Sequence, residues 1–397
     1  MTTTPDNVSV TTTSAILDGA PTLLFINGFL DDATVWDGVI ASLAGKVNTV
    51  RYDLPGFGAR STAVTDPREL SLQSLAAEAG EVLNETDSQV IVVGQSLGTQ
   101  IAELVAAEHA DRVDGLVLLT PVPLGGTRLP EEAVAPFRAL AGDPDAQRAA
   151  RSQLSPALAE EQLDRLIGSG APVLPAVVAR YVDIWNNGVS DAPATSDYTG
   201  PVVVIRGDAD GFVTKALVEE IVPRFPGARE KVIDRGGHWL HVEQPDTVAE
   251  MILEFSDQIT HTTTASGWRG SFAEQSQDAF AAEFADDVVL DATTLAKPIT
   301  GKQEVAQVLA TASSIYESLE FTAEAHDGPT TYLQWKATAF GGTQIRGITI
   351  LDRDASGKIA AVAIHHRPLG AVLRFATEIR NRLAAEIPAD HFLQETP

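Results

Sequence analysis

Short, almost wholly apolar runs recur along the first half of the chain, each followed closely by turn-forming residues. Because they lack the alternation of a half-exposed strand, they predict strands buried on both faces of a sheet. An amphipathic helical pattern at Leu72 to Leu83 precedes the third run. This repeated unit favours an open, mostly parallel α/β sheet. The five runs are Leu23–Ile26, Val47–Tyr52, Val90–Val93, Leu116–Leu119 and Val202–Ile205.

The pattern changes after a threonine-rich stretch near His261, which predicts a linker over residues 258–267 between domains 1–257 and 268–397. Beyond it the apolar positions approach alternation, as in Leu319, Phe321 and Ala323. We expect an α+β domain with a curved antiparallel sheet. Its predicted helices are Phe272–Phe284 and Lys302–Tyr316, and its strands are Val288–Ala292, Leu319–Ala325, Thr331–Phe340, Thr343–Asp352 and Ile359–Arg367.

Composition narrows the classes of function. The net charge of −26 argues against nucleic-acid binding and against attraction to anionic lipid. The chain has no cysteine, which excludes disulfides and thiolate metal sites. Its length of 397 residues leaves room for two domains. It begins without a signal-peptide pattern, and no apolar run approaches the roughly 20 residues of a membrane span. We expect a cytoplasmic protein without cofactor or metal.

A strand, the motif Gly94-Gln95-Ser96-Leu97-Gly98 and a helical pattern follow one another directly. In this context a G-x-S-x-G motif presents its serine on a sharp turn at the edge of a sheet. The helix start behind it offers backbone N–H groups to a developing oxyanion. Ser96 is therefore the candidate nucleophile, and the N–H of Leu97 is one candidate oxyanion donor.

A serine nucleophile needs a base and an orienting carboxylate, in the chain order Ser, Asp or Glu, His. His238 follows two glycines after a predicted strand at Lys231 to Ile233, and we favour it over His241. Asp210 lies on the loop beyond the strand that ends near Arg206. Asp208 is the alternative acid and is expected to stabilise the turn.

The second oxyanion donor is expected from the loop after the first strand. That loop reads Asn27-Gly28-Phe29-Leu30, and Gly28 permits a close turn there. The backbone N–H of Phe29 would then pair with that of Leu97. The alternative is a simple Asn-Gly turn without a role in catalysis.

These motifs together resemble the α/β-hydrolase fold family over roughly residues 15–257. The resemblance also rests on Arg51 to Gly58 and on Gly207 to Asp210. It implies a serine hydrolase of small esters or lactones, acting through Ser96, His238 and Asp210. Asn27 departs from the family, which more often has histidine before the glycine. C–C bond hydrolysis and a cofactor-free haloperoxidase-like activity are alternatives on the same residues.

The family resemblance also implies a helical cap over the active site, at about residues 121–199. Four helical patterns replace the strands there, at Pro130–Leu140, Asp145–Gln153, Leu158–Ile167 and Pro175–Trp185. Cap and loop side chains are candidate pocket walls for a small-molecule substrate, and the absence of a basic cluster disfavours a highly anionic one. The candidates are Phe29, Gln95, Phe137, Tyr181, Trp185 and Trp239.

The second domain resembles the SnoaL-like polyketide cyclase and ketosteroid-isomerase group over roughly residues 268–385, by element order and by Phe280, Phe284 and the Gly301-Lys302 helix start. The resemblance implies a cone with an interior pocket, which Asp291, His326, Trp335, His365 and His366 could line. Adjacent strand residues face opposite ways, so at most one of His365 and His366 points inward. Cyclase or isomerase activity is one alternative, and a support module that forms a homodimer is the other.

Overall fold

The computed structural model of the protein describes residues 10–12, 17, 20–86, 88–354 and 356–393, and of residues 10–12, 260–266 and 326 it describes the backbone alone. The chain divides into two compact units, Met1–Ile259 and Thr260–Pro397. Each unit has its own sheet and its own apolar core. No helix in the described ranges is long and apolar enough to cross a membrane.

The sheet of the first unit has seven strands in the order β1-β3-β2-β4-β5-β6-β7. β1 is antiparallel to β3, and the other neighbours are parallel. The predicted parallel α/β sheet is therefore confirmed. The strands are β1 (Val10–Thr12), β2 (Thr22–Ile26), β3 (Asn48–Tyr52), β4 (Val90–Gln95), β5 (Val113–Leu119), β6 (Val202–Gly207) and β7 (Arg229–Ile233).

Helices cover both faces of this sheet, which explains why the strands are apolar throughout. Leu24 and Ile26 of β2 point into one core cluster, whereas Leu23 and Phe25 point into another. Consecutive side chains of a strand face opposite ways, so each face needs its own apolar set. The helices are α1 (Asp37–Leu43), α2 (Leu72–Leu83), α3 (Leu97–Glu108), α8 (Lys215–Ile221), α9 (Leu240–Glu243) and α10 (Pro245–Glu274).

Four helices lie in the chain between β5 and β6, where the sequence predicts a cap. They begin and end within a few residues of the predicted bounds, and two of them have proline in the first turn. Proline fits there because the first backbone N–H groups of a helix have no intrahelical acceptor. The helices are α4 (Glu131–Arg138), α5 (Pro144–Leu154), α6 (Glu160–Gly170) and α7 (Pro175–Asn187).

The predicted linker over residues 258–267 is helical in its backbone, as part of α10. The early turns of α10 bury Val248, Ile252 and Phe255 in the first unit. Trp268, farther along the same helix, is fully buried in the core of the second unit. A threonine-rich composition predicts a break between elements, whereas the backbone here is helical.

The second unit has a six-stranded sheet in the order β10-β11-β12-β13-β8-β9. β13 and β8 are parallel and the other neighbours are antiparallel, so the sheet is mixed. The strands are β8 (Phe284–Ala292), β9 (Ile299–Thr300), β10 (Tyr316–Asp327), β11 (Thr330–Ala339), β12 (Thr343–Arg353) and β13 (Ile359–Arg367), and the helices are α11 (Gln277–Glu283), α12 (Lys302–Ser313) and α13 (Leu369–Leu383).

Helix α13 was not predicted, although its apolar positions follow a helical spacing. Val372, Phe375, Ile379 and Leu383 are buried, and the last three lie in the core of the second unit. Spacings of three and four residues put them on one face of the helix. The predicted α+β class is confirmed, with α13 as an additional covering helix.

Candidate active site

Ser96 stands at a sharp turn between β4 and α3. Its φ is 52° and its ψ is −120°, a conformation that costs a residue with a side chain about 1–3 kcal/mol. A Cβ at Gly94 would lie 2.4 Å from the carbonyl oxygen of Gly98, and a Cβ at Gly98 would lie 2.4 Å from that of Ile26. Close backbone approach therefore explains both glycines of the motif, and it holds Ser96 in its strained conformation.

The side chains of three loops meet at this turn. The Nε2 atom of His238 lies 3.0 Å from the Oγ atom of Ser96. Its Nδ1 atom lies 2.8 Å from Oδ2 of Asp210. Since a carboxylate can only accept, Nδ1 carries the proton that it donates to Asp210, and Nε2 can accept the hydroxyl proton of Ser96. The three side chains predicted from the sequence thus form one hydrogen-bonded chain.

The second oxygen of Asp210 is fixed by its own loop. Oδ1 accepts the backbone N–H groups of Phe212 at 2.8 Å and Val213 at 3.0 Å. Burial raises the pKa of the Asp210 carboxyl, but the charge and hydrogen bond of His238 and these two N–H groups together hold the pKa below its ordinary value. Asp210 therefore stays ionised beside His238.

The two alternatives for these roles lie elsewhere. Asp208 is exposed. His241 is fully buried with its ring centroid 4.4 Å from that of Trp36, and within the described residues neither of its ring nitrogens has a hydrogen-bond partner. Burial, followed by the charge of His238, lowers the pKa of His241 to about 3.

Backbone and side-chain hydrogen bonds hold the loop that carries His238 in place. The His238 carbonyl oxygen accepts from Nε2 of Gln95 at 3.1 Å and from the hydroxyl of Thr120 at 3.2 Å. The Gly237 N–H donates to the carboxylate of Glu243 at 2.6 Å. These bonds fix the position of the imidazole relative to β4 and β5.

A pocket opens beside Ser96 and His238 beneath the cap, with about 570 Å³ of space including its mouth. Three aromatic rings form one wall, with centroids 5.4 to 5.8 Å apart: Phe137, Trp185 and Phe212. Phe212 also contacts the ring of His238 edge-on at 5.8 Å. The apolar lining consists of Phe29, Leu30, Phe137, Leu140, Ala150, Leu154, Trp185, Phe212 and Trp239.

Residues 23–251 of the chain match the Alpha/beta hydrolase family. The chain belongs to this family. It is 27% identical over 249 residues to the pimeloyl-[acyl-carrier protein] methyl ester esterase of Aeromonas hydrophila, covering 59% of this chain and 95% of that protein. It is 26% identical to the esterase YbfF of Escherichia coli, covering 55% of this chain and 86% of that protein.

A solved structure supports the fold of the first unit. The enol-lactonase from Burkholderia xenovorans superposes with a TM-score of 0.53 at 20% sequence identity, over 62% of this chain and 95% of that one.

Most of the predicted pocket residues do line the hydrolase pocket. Phe29, Gln95, Phe137, Trp185 and Trp239 all border it. The prediction for Tyr181 is wrong. Its ring is fully buried 4.5 Å from that of Phe57, and its hydroxyl donates to the carbonyl of Pro55 at 2.8 Å, so it packs the cap onto the body of the unit.

Sequence reasoning missed a buried ion pair in the pocket wall. Nη1 of Arg151 lies 2.8 Å from Oδ1 of Asp31, and the side chains are 3% and 1% exposed. A lone arginine in a helical pattern gives no sign of a partner 120 positions away in the sequence. Phe212 was also missed, although it stands two residues after Asp210.

In the second unit, two of the five candidate pocket residues, Trp335 and His366, come together. The ring of His366 lies 5.2 Å from that of Trp335, and its nitrogens pair with the hydroxyls of Thr293 at 3.1 Å and Tyr316 at 3.2 Å. Burial lowers the pKa of His366 to about 4. Phe375 of α13 stacks on Tyr316 with ring centroids 4.9 Å apart, and its ring centroid lies 5.7 Å from that of His366.

The prediction for Asp291 is wrong. Asp291 is exposed, because Leu290 and Ala292 on either side of it in β8 face the core. His365 is also exposed, as expected if its neighbour faces inward, and the side chain of His326 lies outside the described residues. Within the described ranges, no three His, Asp or Glu side chains are grouped closely enough to hold a metal ion.

Proposed function

We propose that the chain is a serine hydrolase that cleaves a small carboxylic ester or lactone. The observation that carries the proposal is the hydrogen-bonded chain from Ser96 through His238 to Asp210 at the wall of an apolar pocket. The similarity to esterases supports the reaction class. The charge of Arg151 is balanced by Asp31, so the pocket favours an uncharged acyl group.

In the first half of the reaction, Oγ of Ser96 attacks the carbonyl carbon of the ester while Nε2 of His238 takes the hydroxyl proton. Asp210 keeps the proton of His238 on Nδ1 and stabilises the imidazolium as it forms. The tetrahedral intermediate collapses when His238 returns the proton to the leaving alkoxide. The alcohol departs and the acyl group stays on Ser96.

In the second half, His238 takes a proton from water, and the resulting hydroxide attacks the acyl-enzyme. The carboxylic acid leaves and Ser96 recovers its proton, so one water is consumed for each ester cleaved. A lactone would give one hydroxy acid in place of an acid and an alcohol.

The backbone N–H groups of Phe29 and Leu97 are the proposed donors to the oxyanion. Neither has a hydrogen-bond acceptor among the described residues, which leaves both available to a substrate. The amide of Asn27 donates to the carbonyls of Gly28 and Asp31, so it stabilises the loop that carries Phe29. Asparagine at this position is therefore compatible with the proposed oxyanion site.

A fluorophosphonate probe and a series of p-nitrophenyl esters of rising acyl length test the proposal. We expect label on Ser96 alone, and turnover that falls by about 10³-fold or more in Ser96→Ala and in His238→Ala. A label on another serine, or unchanged turnover in Ser96→Ala, would contradict the assignment. Turnover should decline once the acyl chain outgrows the aromatic wall.

A further inference from the structure

The C-terminal part of α5 contacts the loop that carries the proposed oxyanion donor. Arg151 uses both ends of its guanidinium there. Nη1 donates to the carboxylate of Asp31 at 2.8 Å, and Nη2 donates to the carbonyl of Leu30 at 2.8 Å. Leu30 directly follows Phe29 and has a φ of 61°, a conformation that needs support from its surroundings. Arg151 therefore fixes the loop next to the Phe29 N–H.

The same part of α5 holds the loop of the proposed catalytic base. The backbone N–H of His238 donates to the carbonyl of Leu154 at 2.9 Å. The backbone N–H of Trp239 donates to the hydroxyl of Ser155 at 2.8 Å. A Cβ at Gly237 would lie 2.5 Å from the Cα of Ser155, so the two segments are in close contact.

The carboxylate of Asp31 links the oxyanion loop to both α5 and the histidine loop. Oδ2 of Asp31 accepts the indole N–H of Trp239 at 2.7 Å, while Oδ1 pairs with Arg151. The guanidinium of Arg151 also lies 4.8 Å from the centroid of the Trp239 ring. Arg151, Asp31 and Trp239 thus join the cap, the oxyanion loop and the histidine loop through buried contacts.

A buried ion pair is a poor source of stability, because the desolvation of two charges offsets most of their attraction. We propose that Arg151 is a positioning residue that sets the distance between the Phe29 loop and the His238 loop. This proposal rests on the proposed function. A reacting carbonyl at Ser96 needs the N–H on one side and the imidazole on the other, and a displacement of about 1 Å costs up to about 10²-fold in rate.

The test uses the full-length protein with two changes at this position. Arg151→Lys keeps the charge but loses the fork that reaches Asp31 and Leu30 at once. The double variant Arg151→Met with Asp31→Leu removes both charges and leaves no unpaired one, so it is expected to fold even if Arg151→Lys does not. The matched control is Arg148→Met, on the same helix, where the arginine pairs with Glu160 and Asp164 at the surface.

We expect kcat for a p-nitrophenyl ester to fall by about 10- to 100-fold in both variants at position 151, with KM within about 3-fold of wild type. Fluorophosphonate labelling of Ser96 should slow in parallel, and Arg148→Met should match the wild type. The kcat of Arg151→Lys should be only slightly higher than that of the double variant.

Two results would overturn the proposal. Unchanged kcat in the folded double variant would remove any positioning role, whereas a rise in KM alone would make Arg151 a substrate-binding group. The wild type separates this failure from failure of the proposed function. If the wild type hydrolyses no ester and Ser96 takes no label, the hydrolase proposal itself is wrong.

Discussion

Replacing Asp210 by asparagine should invert the proton arrangement of His238. The N–H groups of Phe212 and Val213 both point at Oδ1, so an oxygen must occupy that position. The amide nitrogen of the asparagine then takes the position of Oδ2, 2.8 Å from Nδ1 of His238. There it donates to Nδ1 and moves the imidazole proton to Nε2, which can no longer accept the proton of Ser96.

The magnitude follows from this fixed orientation. A triad with the wrong histidine tautomer loses about 10⁴-fold in kcat, or about 5.5 kcal/mol of transition-state stabilisation. The fold should change little, since Asn fills the same volume and keeps both backbone contacts. The deficit should therefore appear in kcat at equal folded fraction.

Ester turnover of Asp210→Asn and Asp208→Asn, each corrected for folded protein by circular dichroism, checks this reasoning. Asp208 is exposed, so its variant should stay within about 2-fold of wild type. If Asp210→Asn kept more than a tenth of the activity, or if Asp208→Asn were the more damaged, the assignment of the acid would be refuted.

Three further predictions concern the turn, a buried histidine and the assembly. Gly98→Ala should lower the free energy of unfolding, measured by urea denaturation, by about 1–3 kcal/mol, since its Cβ would press on the Ile26 carbonyl. The control Gly168→Ala, on an open face of α6, should raise that free energy by about 0.5–1 kcal/mol. His241→Phe should reduce the loss of stability on acidification. The folded pKa of His241 is about 3 against 6.5, so between these values the unfolded chain binds a proton that the folded chain excludes, and the wild type should lose about 2 kcal/mol more than the variant from pH 7 to pH 5. Light scattering should find a homodimer that dissociates when the second unit is removed; a full-length monomer would contradict this.

The parts of the site that depend on local geometry could be predicted from the sequence. Ser96 could be found because a G-x-S-x-G motif between a strand and a helix requires one turn, and His238 and Asp210 because they follow strands that end at the same edge of the sheet. Buried strands and cap helices could be found from apolar spacing alone.

The remainder depends on contacts between distant segments. Tyr181 and Trp185 lie one turn apart on the same face of α7, yet one packs against Phe57 and the other lines the pocket, and that difference depends on what each turn of the helix meets in the folded cap. The pairing of Arg151 with Asp31 has no local pattern. Asp291 could be excluded only once the register of β8 fixed which of its faces is buried.

The strained turn at Ser96 also bears on why a serine occupies this position. Glycine would adopt its positive φ without penalty, so a chain selected only to remain folded would gain about 1–3 kcal/mol by losing the serine. Replacement of Ser96 by glycine should thus give a more stable protein that lacks the hydroxyl. The proposed role of Ser96 as the nucleophile explains why serine stands here, between two tightly packed glycines, where glycine would cost less.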